Sequence, residues 1–118
     1  MTDQATFVNR DASGFRVVEA HGEFDLSNAG DLRVALETSF EGTDVLIVSL
    51  AGVSYLDSSA LGVLIQASRR ADMQRRKLHL VAPRHGPAGK LLRIAAVDQI
   101  APLSESVDDA IAILTPLR

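Results

Sequence analysis

Three oxygen-bearing side chains, Asp57, Ser58 and Ser59, stand together where the sequence changes from an apolar run to a helical pattern. At the start of a helix, such a side chain accepts hydrogen bonds from the first free backbone N–H groups. One cap needs only one residue. A second serine facing solvent would lie where the helix dipole favours an anion, and could carry a phosphate. The spacing alone leaves both roles open and favours plain capping, because many helices begin with these residue types.

The neighbouring segments predict the elements that hold this triplet. Residues 45–50 form a short apolar run rich in β-branched residues, which predicts a strand buried on both faces. The following segment has the spacing of an amphipathic helix, with Leu61, Leu64, Ile65, Ser68 and Ala71 on one face. We therefore expect a strand, a short loop and a helix, with Asp57 to Ser59 at the helix start.

Upstream, the pattern predicts a hairpin and a first helix. Residues 5–9 and 15–21 have the pattern of strands, and the turn between them is expected at residues 10–14. After Gly22-Glu23-Phe24-Asp25, a helix is indicated whose cap we expect to be Asp25 or Ser27. Its buried face is marked by Ala29, Leu32, Leu36 and Phe40.

Downstream, the pattern predicts two strands and two helices. Residues 78–82 have the pattern of a strand, in which alternation makes His79 a partly exposed side chain. A helix over residues 86–96 and a strand over residues 100–103 should follow. Ser106 is the expected N-cap of the last helix, with Asp109 at the partner position of a capping box.

This order of elements predicts an α/β fold in one domain over residues 1–118. We expect a mixed sheet of about four to five strands with an N-terminal hairpin, and about four helices. In such a sheet the loops that follow the parallel strands meet at one edge, where binding sites tend to lie. The loop with Asp57 and Ser58 is one of them.

Composition argues against several classes of function. The net charge is −3, and the main basic clusters, Arg69-Arg70 and Arg75-Arg76-Lys77, fit a solvated helix end, so no nucleic-acid partner is expected. The chain has no cysteine, and its three histidines lack ligand spacing, so we expect neither a metal site nor a cofactor. It has no apolar run of membrane-spanning length, and its first residues are polar, so we expect a cytoplasmic protein without a membrane partner.

Two possible enzyme motifs are incomplete. Gly89-Lys90 lacks the glycine spacing and the following Ser or Thr of a phosphate-binding loop. Ser58 has neither a Gly-x-Ser-x-Gly elbow nor a base in the surrounding sequence. We therefore expect that the protein is not an enzyme.

Two segments resemble the STAS-domain anti-sigma factor antagonists of bacteria. Residues 45–64, which include Asp57-Ser58-Ser59-Ala60-Leu61-Gly62, are similar to the family's strand, loop and helix around its phosphorylated serine. Residues 22–25 are similar to its second motif. Ala60 stands where many members have glycine, a change that a helix tolerates well.

The resemblance implies a role in partner switching. An unphosphorylated antagonist binds an anti-sigma factor that is also a serine kinase, which frees the sigma factor; phosphorylation ends the interaction and a phosphatase restores it. By position, the acceptor is Ser58, with Ser59 the weaker candidate. The implied partner-binding residues are Asp25, Asp57, Ser58, Ser59, Ala60 and Leu61.

Two alternatives stay open at this point. The chain can instead be a STAS scaffold module that is never phosphorylated and serves a larger signalling or transport assembly. An unrelated small enzyme is the third possibility. The sequence identifies neither the kinase nor the phosphatase, and it leaves the oligomeric state unknown.

Overall fold

The computed structural model describes residues 5–115, so the predictions made for the first four residues lie outside the described part. Within this range the chain forms one five-stranded sheet, four α-helices and a short 3₁₀ helix at Val97–Gln99. The strands are β1 (Thr6–Ala12), β2 (Phe15–Phe24), β3 (Val45–Leu56), β4 (Lys77–Val81) and β5 (Leu103–Ser104). The helices are α1 (Ala29–Ser39), α2 (Ser58–Met73), α3 (Pro87–Ile94) and α4 (Val107–Leu114). The predicted α/β class is confirmed.

The strands lie in the order β1-β2-β3-β4-β5, antiparallel between β1 and β2 and parallel thereafter. The predicted hairpin is present, but its turn is shorter than expected. Ser13 and Gly14 both have positive φ angles, 53° and 85°, as in a two-residue hairpin turn. This tight turn lets β1 continue to Ala12, which pairs with Phe15.

The two faces of the sheet bury two separate clusters. The larger cluster packs α1, α2 and α3 on one face and includes Leu46, Val48 and Leu50 of β3. The smaller one contains Val17, Ile47, Val81 and Ala110, with α4 as its cover. The prediction of a strand buried on both faces is therefore confirmed for the first half of β3.

The second half of β3 extends beyond the predicted end at residue 50. Its pairing with β2 shifts register twice, first between Glu19 and His21 and then between Gly22 and Glu23. At the first shift Gly52 lies under the ring of His21, and a Cβ added there would fall 2.1 Å from His21 Nδ1. These irregularities let β3 reach Leu56 while its last residues remain paired with β2.

Helix α2 ends in a Schellman motif with an unusual residue at its turning point. The Arg75 N–H donates to the Asp72 carbonyl at 3.1 Å, and the Arg76 N–H donates to the Ala71 carbonyl at 2.8 Å. Arg75 has a φ angle of 59°, a left-handed conformation that glycine usually supplies. The chain therefore turns sharply between Arg75 and Arg76.

Two elements near the carboxyl terminus, a helix and a strand, have other bounds than predicted. Helix α3 begins at Pro87 and stops at Ile94, because Ala96 adopts a positive φ angle of 57° that no α-helix continues. Strand β5 covers Leu103–Ser104 instead of residues 100–103. The predicted cap of α4 is confirmed, since Ser106 Oγ accepts from the Asp109 N–H at 3.1 Å.

In the described part of the chain, each helix is too short or too polar to cross a membrane.

The prediction for His79 is wrong. Its side chain is 1% exposed, because α4 packs across the face of β4 that alternation alone left open to solvent. His79 Nε2 lies 2.7 Å from Ser104 Oγ, and His79 Nδ1 has no hydrogen-bond partner among residues 5–115. Burial, with a smaller effect of Lys77, lowers the pKa of His79.

We expect His79 to make the fold sensitive to mild acid. Its pKa is lower in the folded state, so the unfolded chain takes up the proton first as the pH falls through about 6.5. The stability that neutral His79 contributes is thus present above that pH and is lost progressively below it. Urea denaturation of His79→Gln should show a weaker loss of unfolding free energy between about pH 7.5 and pH 5 than the wild type.

His85→Gln is the control, because it removes an exposed imidazole from a loop. It should keep the wild-type pH dependence. Equal slopes for the wild type and His79→Gln would show that the buried histidine does not cause the acid sensitivity.

Candidate functional site

The loop between β3 and α2 is organised by Asp57, which is the N-cap of α2. Its carboxylate oxygen Oδ1 accepts from the Ser59 N–H at 2.9 Å and from the Ala60 N–H at 3.1 Å. The Asp57 carbonyl accepts from the Leu61 N–H at 2.9 Å. Of the three candidate capping residues, the aspartate therefore does the capping, and neither serine hydroxyl is needed for it.

Ser58 is the first residue of α2, and its side chain is exposed. Ser59 is half-buried at the next position. Within residues 5–115, neither hydroxyl oxygen has a hydrogen-bond partner. Ser58 is consequently the more accessible of the two hydroxyls.

Ala60 and Leu61 point into the protein to different degrees. Ala60 is 0% exposed within the larger hydrophobic cluster, and Leu61 is partly buried against the same cluster. The predicted contact between Ala60 and a partner therefore needs correction, because its methyl group offers no surface. The third residue of α2 thus faces the core, although the sequence spacing did not show whether this position faces inward or outward.

The loop between β2 and α1 lies beside this helix start. Phe24 pairs with Leu56 at the ends of the two strands, and the Asp57 N–H donates to the Phe24 carbonyl at 3.1 Å. Asp25 and Asp57, the next residues of each chain segment, thus leave the sheet at the same edge. The structure brings together the two sequence motifs that lie about thirty residues apart, as expected for parallel neighbours.

Asp25 is held by hydrogen bonds inside its own loop. Its carboxylate accepts from the hydroxyl and the backbone N–H of Ser27, and these two donors hold the pKa of Asp25 below its ordinary value. Asn28 closes the loop, with Oδ1 accepting from the Asp25 N–H and Nδ2 donating to the Glu23 carbonyl, both at 2.9 Å.

The prediction that Asp25 or Ser27 caps α1 is therefore wrong. The N-cap is Asn28, whose side chain makes no capping hydrogen bond because it is already used in the loop. Among the described residues, no ion pair involves Asp25 or Asp57. This edge of the sheet thus carries the carboxylates of Asp25 and Asp57 and the exposed side chain of Ser58.

Two exposed apolar side chains at this edge were missed by the sequence analysis. Leu26, between Asp25 and Ser27, is 77% exposed, and Tyr55, two residues before Asp57, is 51% exposed. For Leu26 the sequence did contain an indication of exposure. It is an apolar residue in the polar loop Asp25-Leu26-Ser27, and it lies outside the apolar face of α1. Exposed apolar side chains next to polar groups are typical of surfaces that bind other proteins.

Comparison with known proteins agrees with this architecture. The sequence model of the STAS domain matches residues 7–110. A crystal structure of an anti-sigma factor antagonist from Mycobacterium paratuberculosis is similar with a TM-score of 0.83 and 26% identity, covering 94% of each chain.

Two structures of SpoIIAA share the fold at lower identity. The unphosphorylated form has a TM-score of 0.70 at 15% identity, covering 96% of this chain and all 100% of that one. The phosphorylated form, from Bacillus, has a TM-score of 0.66 at 19% identity, covering 93% of this chain and 100% of that one. With the family match extending over nearly all of the described residues, the chain belongs to the STAS domain family.

Proposed function

We propose that this protein is an anti-sigma factor antagonist whose activity is switched by phosphorylation of Ser58. In its unphosphorylated form it binds an anti-sigma factor that is also a serine kinase, and so releases a sigma factor. The observation that carries the proposal is the exposed hydroxyl of Ser58, which has no hydrogen-bond partner within residues 5–115 and lies beside the Asp57 cap. The likeness to the mycobacterial antagonist, at 26% identity over 94% of the chain, supports it.

The partner surface in this proposal is the sheet edge formed by the loops after β2 and β3. It comprises Asp25, Leu26, Tyr55, Asp57, Ser58, Ser59 and the exposed part of Leu61. Leu26 and Tyr55 supply apolar area that a partner can bury, and the two aspartates supply negative charge that a basic patch can complement. The side chain of Ala60 acts only from within the core.

The same geometry explains how phosphate can act as a switch without unfolding the domain. A phosphoserine adds about −1.5 to −2 charge at neutral pH. At the start of α2 this charge is favoured by the helix dipole by about 0.3–1 kcal/mol, while the nearby carboxylate of Asp57 repels it. Because these effects oppose each other, we expect little net change in the stability of the fold.

At the partner surface the effects do not cancel. An interface that accepts the neutral hydroxyl of Ser58 has to desolvate a dianion after phosphorylation, next to the carboxylates of Asp25 and Asp57. The fold of SpoIIAA is similar to this one in both its phosphorylated and unphosphorylated forms, which supports a switch at the surface. A phosphatase then restores the binding form.

In this proposal the protein works in the cytoplasm, where sigma factors act. It needs no cofactor and performs no catalysis, since the kinase supplies both ATP and the catalytic groups. The scaffold alternative, in which Ser58 is never phosphorylated, is separated from the proposal by the first experiment below.

Ser58→Ala should abolish phosphate incorporation and leave the fold intact. Asp57 supplies the cap, so loss of the exposed hydroxyl should change the free energy of unfolding by less than about 0.5 kcal/mol. Intact-protein mass spectrometry after incubation with the cognate anti-sigma factor kinase and ATP should show one added phosphate in the wild type and none in Ser58→Ala.

Ser59→Ala and Asp57→Ala are the matched controls. Ser59→Ala should still accept phosphate, whereas Asp57→Ala should lose about 1 kcal/mol of stability together with the cap. Phosphate that persists in Ser58→Ala and disappears in Ser59→Ala would move the acceptor to Ser59. A wild-type protein that is not phosphorylated by its kinase would favour the scaffold role.

Phosphorylated Ser58 should weaken partner binding without melting α2. Protein carrying phosphoserine at position 58 can be produced by genetic encoding and compared with unmodified protein by calorimetric titration and thermal unfolding. We expect affinity for the anti-sigma factor to fall at least about a hundredfold, equivalent to about 2.7 kcal/mol, with a nearly unchanged melting temperature.

Ser58→Ala serves as the neutral reference in this comparison and should bind as the unmodified protein does. Ser58→Asp should weaken binding less than phosphoserine, because aspartate carries a single charge. Equal affinities of the phosphorylated and unmodified proteins, or a loss of affinity accompanied by loss of helical circular dichroism, would contradict a switch based on surface charge.

A further inference from the structure

A groove of about 390 Å³ lies between α1 and α2, and Ser58 is not among the residues that line it. Clefts of this size commonly bind small molecules, with an apolar lining and a few convergent polar groups. The apolar side chains of this groove come from both helices: Leu36, Phe40, Val63, Ala67 and Ala71. Val63 and Ala67 are partly exposed in the groove, whereas Leu36, Phe40 and Ala71 are largely buried beneath them and form its base.

The charged groups along the groove are mostly of one sign. Arg33 from α1, Arg70 from α2 and Arg76 from the segment after α2 line it, and Glu37 is its one acidic residue. This contrasts with the chain as a whole, whose net charge is −3. Arg70 Nη1 donates to Glu37 Oε1 at 3.2 Å, and no residue from 5 to 115 forms an ion pair or hydrogen bond with the guanidinium of Arg33.

Arg76 is directed onto the groove by the turn that ends α2. Its Nη1 atom donates to the Phe40 carbonyl at 3.3 Å, and its guanidinium carbon lies 5.8 Å from the centroid of the Phe40 ring. The turn depends on Arg75, which holds a left-handed conformation that is unfavourable for a residue with a side chain. Strained backbone of this kind recurs where proteins position groups for a ligand.

From these observations we infer that the groove binds a small amphipathic anion. The apolar body of the ligand packs on Phe40 and its apolar neighbours, and its phosphate, sulfonate or carboxylate group lies among the guanidinium groups of Arg33, Arg70 and Arg76. Guanidinium is suited to this task because its planar array of donors matches such oxyanions. The inference does not depend on the proposed switch at Ser58, which uses other residues.

The test uses the full chain, labelled with ¹⁵N, and 2-naphthyl phosphate as the probe. Titration followed by amide chemical shifts should give saturable binding with the shifts concentrated in α1 and α2 along the groove. Two probes lacking one feature, neutral 2-naphthalenemethanol and inorganic phosphate, should each bind at least about tenfold more weakly, since each loses one of the two kinds of contact.

Arg33→Gln and Arg76→Gln should each lower the affinity for 2-naphthyl phosphate at least about tenfold. Arg69→Gln is the matched control, because Arg69 is exposed on the same helix and does not line the groove. It should bind as the wild type does. Within residues 5–115 the guanidinium of Arg33, which is exposed, forms no hydrogen bond or ion pair, so Arg33→Gln remains informative even if Arg76→Gln fails to fold.

Three results would overturn the inference. The first is the absence of saturable binding at millimolar probe. The second is binding that maps to residues outside the groove. The third is an equal loss of affinity in Arg69→Gln and Arg33→Gln, which would show attraction by general surface charge.

Discussion

A single backbone hydrogen bond, from the Asp57 N–H to the Phe24 carbonyl, joins the two loops on which the proposed function depends. It continues the parallel pairing of Phe24 with Leu56 beyond the last residues of β2 and β3. Parallel neighbours end at the same edge of a sheet, so this bond holds Asp25 and Ser58 on one surface. Two register shifts between β2 and β3, the first where His21 pairs with Gly52, precede this bond, and the two strands remain paired to their ends.

The division of roles between Asp57 and Ser58 has a simple electrostatic basis. A carboxylate at the N-cap satisfies two backbone N–H groups and interacts favourably with the helix dipole, so it stabilises α2 while staying beside the site. The adjacent hydroxyl of Ser58 has no hydrogen-bond partner in the described part of the chain, so its proposed phosphorylation would break no such bond there. In the proposed switch, capping and phosphorylation thus fall to different side chains, so we expect a charge added at Ser58 to cost the fold little.

Helix α2 starts at this edge and then runs along the groove. Its sixteen residues span roughly 24 Å, with the Asp57 cap at one end and the Arg75 turn at the other. The groove is lined from the second turn of α2 onward, so the helix start stays available to a protein partner. The proposed partner surface and the groove are both held in place by α1 and α2, but they consist of different side chains and would bind through different physical interactions.

The features that the sequence by itself determined are those that depend on neighbours along the chain. The apolar run of residues 45–50 predicted a buried strand, the spacing after Ser58 predicted a helix, and Ser106 predicted a cap, because periodicity and capping are local effects. The alternation of strands and helices also predicted that the loops after the parallel strands, including the loop with Asp57 and Ser58, lie at one edge of the sheet.

Tertiary structure alone decided what contacts distant segments make. His79 is buried because α4 packs over its strand, and Ala60 is buried because the first turn of α2 faces the larger cluster. Leu26 and Tyr55 stay exposed at the edge, and Arg33 lines the same groove as Arg70 and Arg76, although it is far from them in sequence. Whether a residue is buried, and which distant residues come together, depends on how the elements pack against one another. The residue pattern within one element does not determine which other elements pack against it.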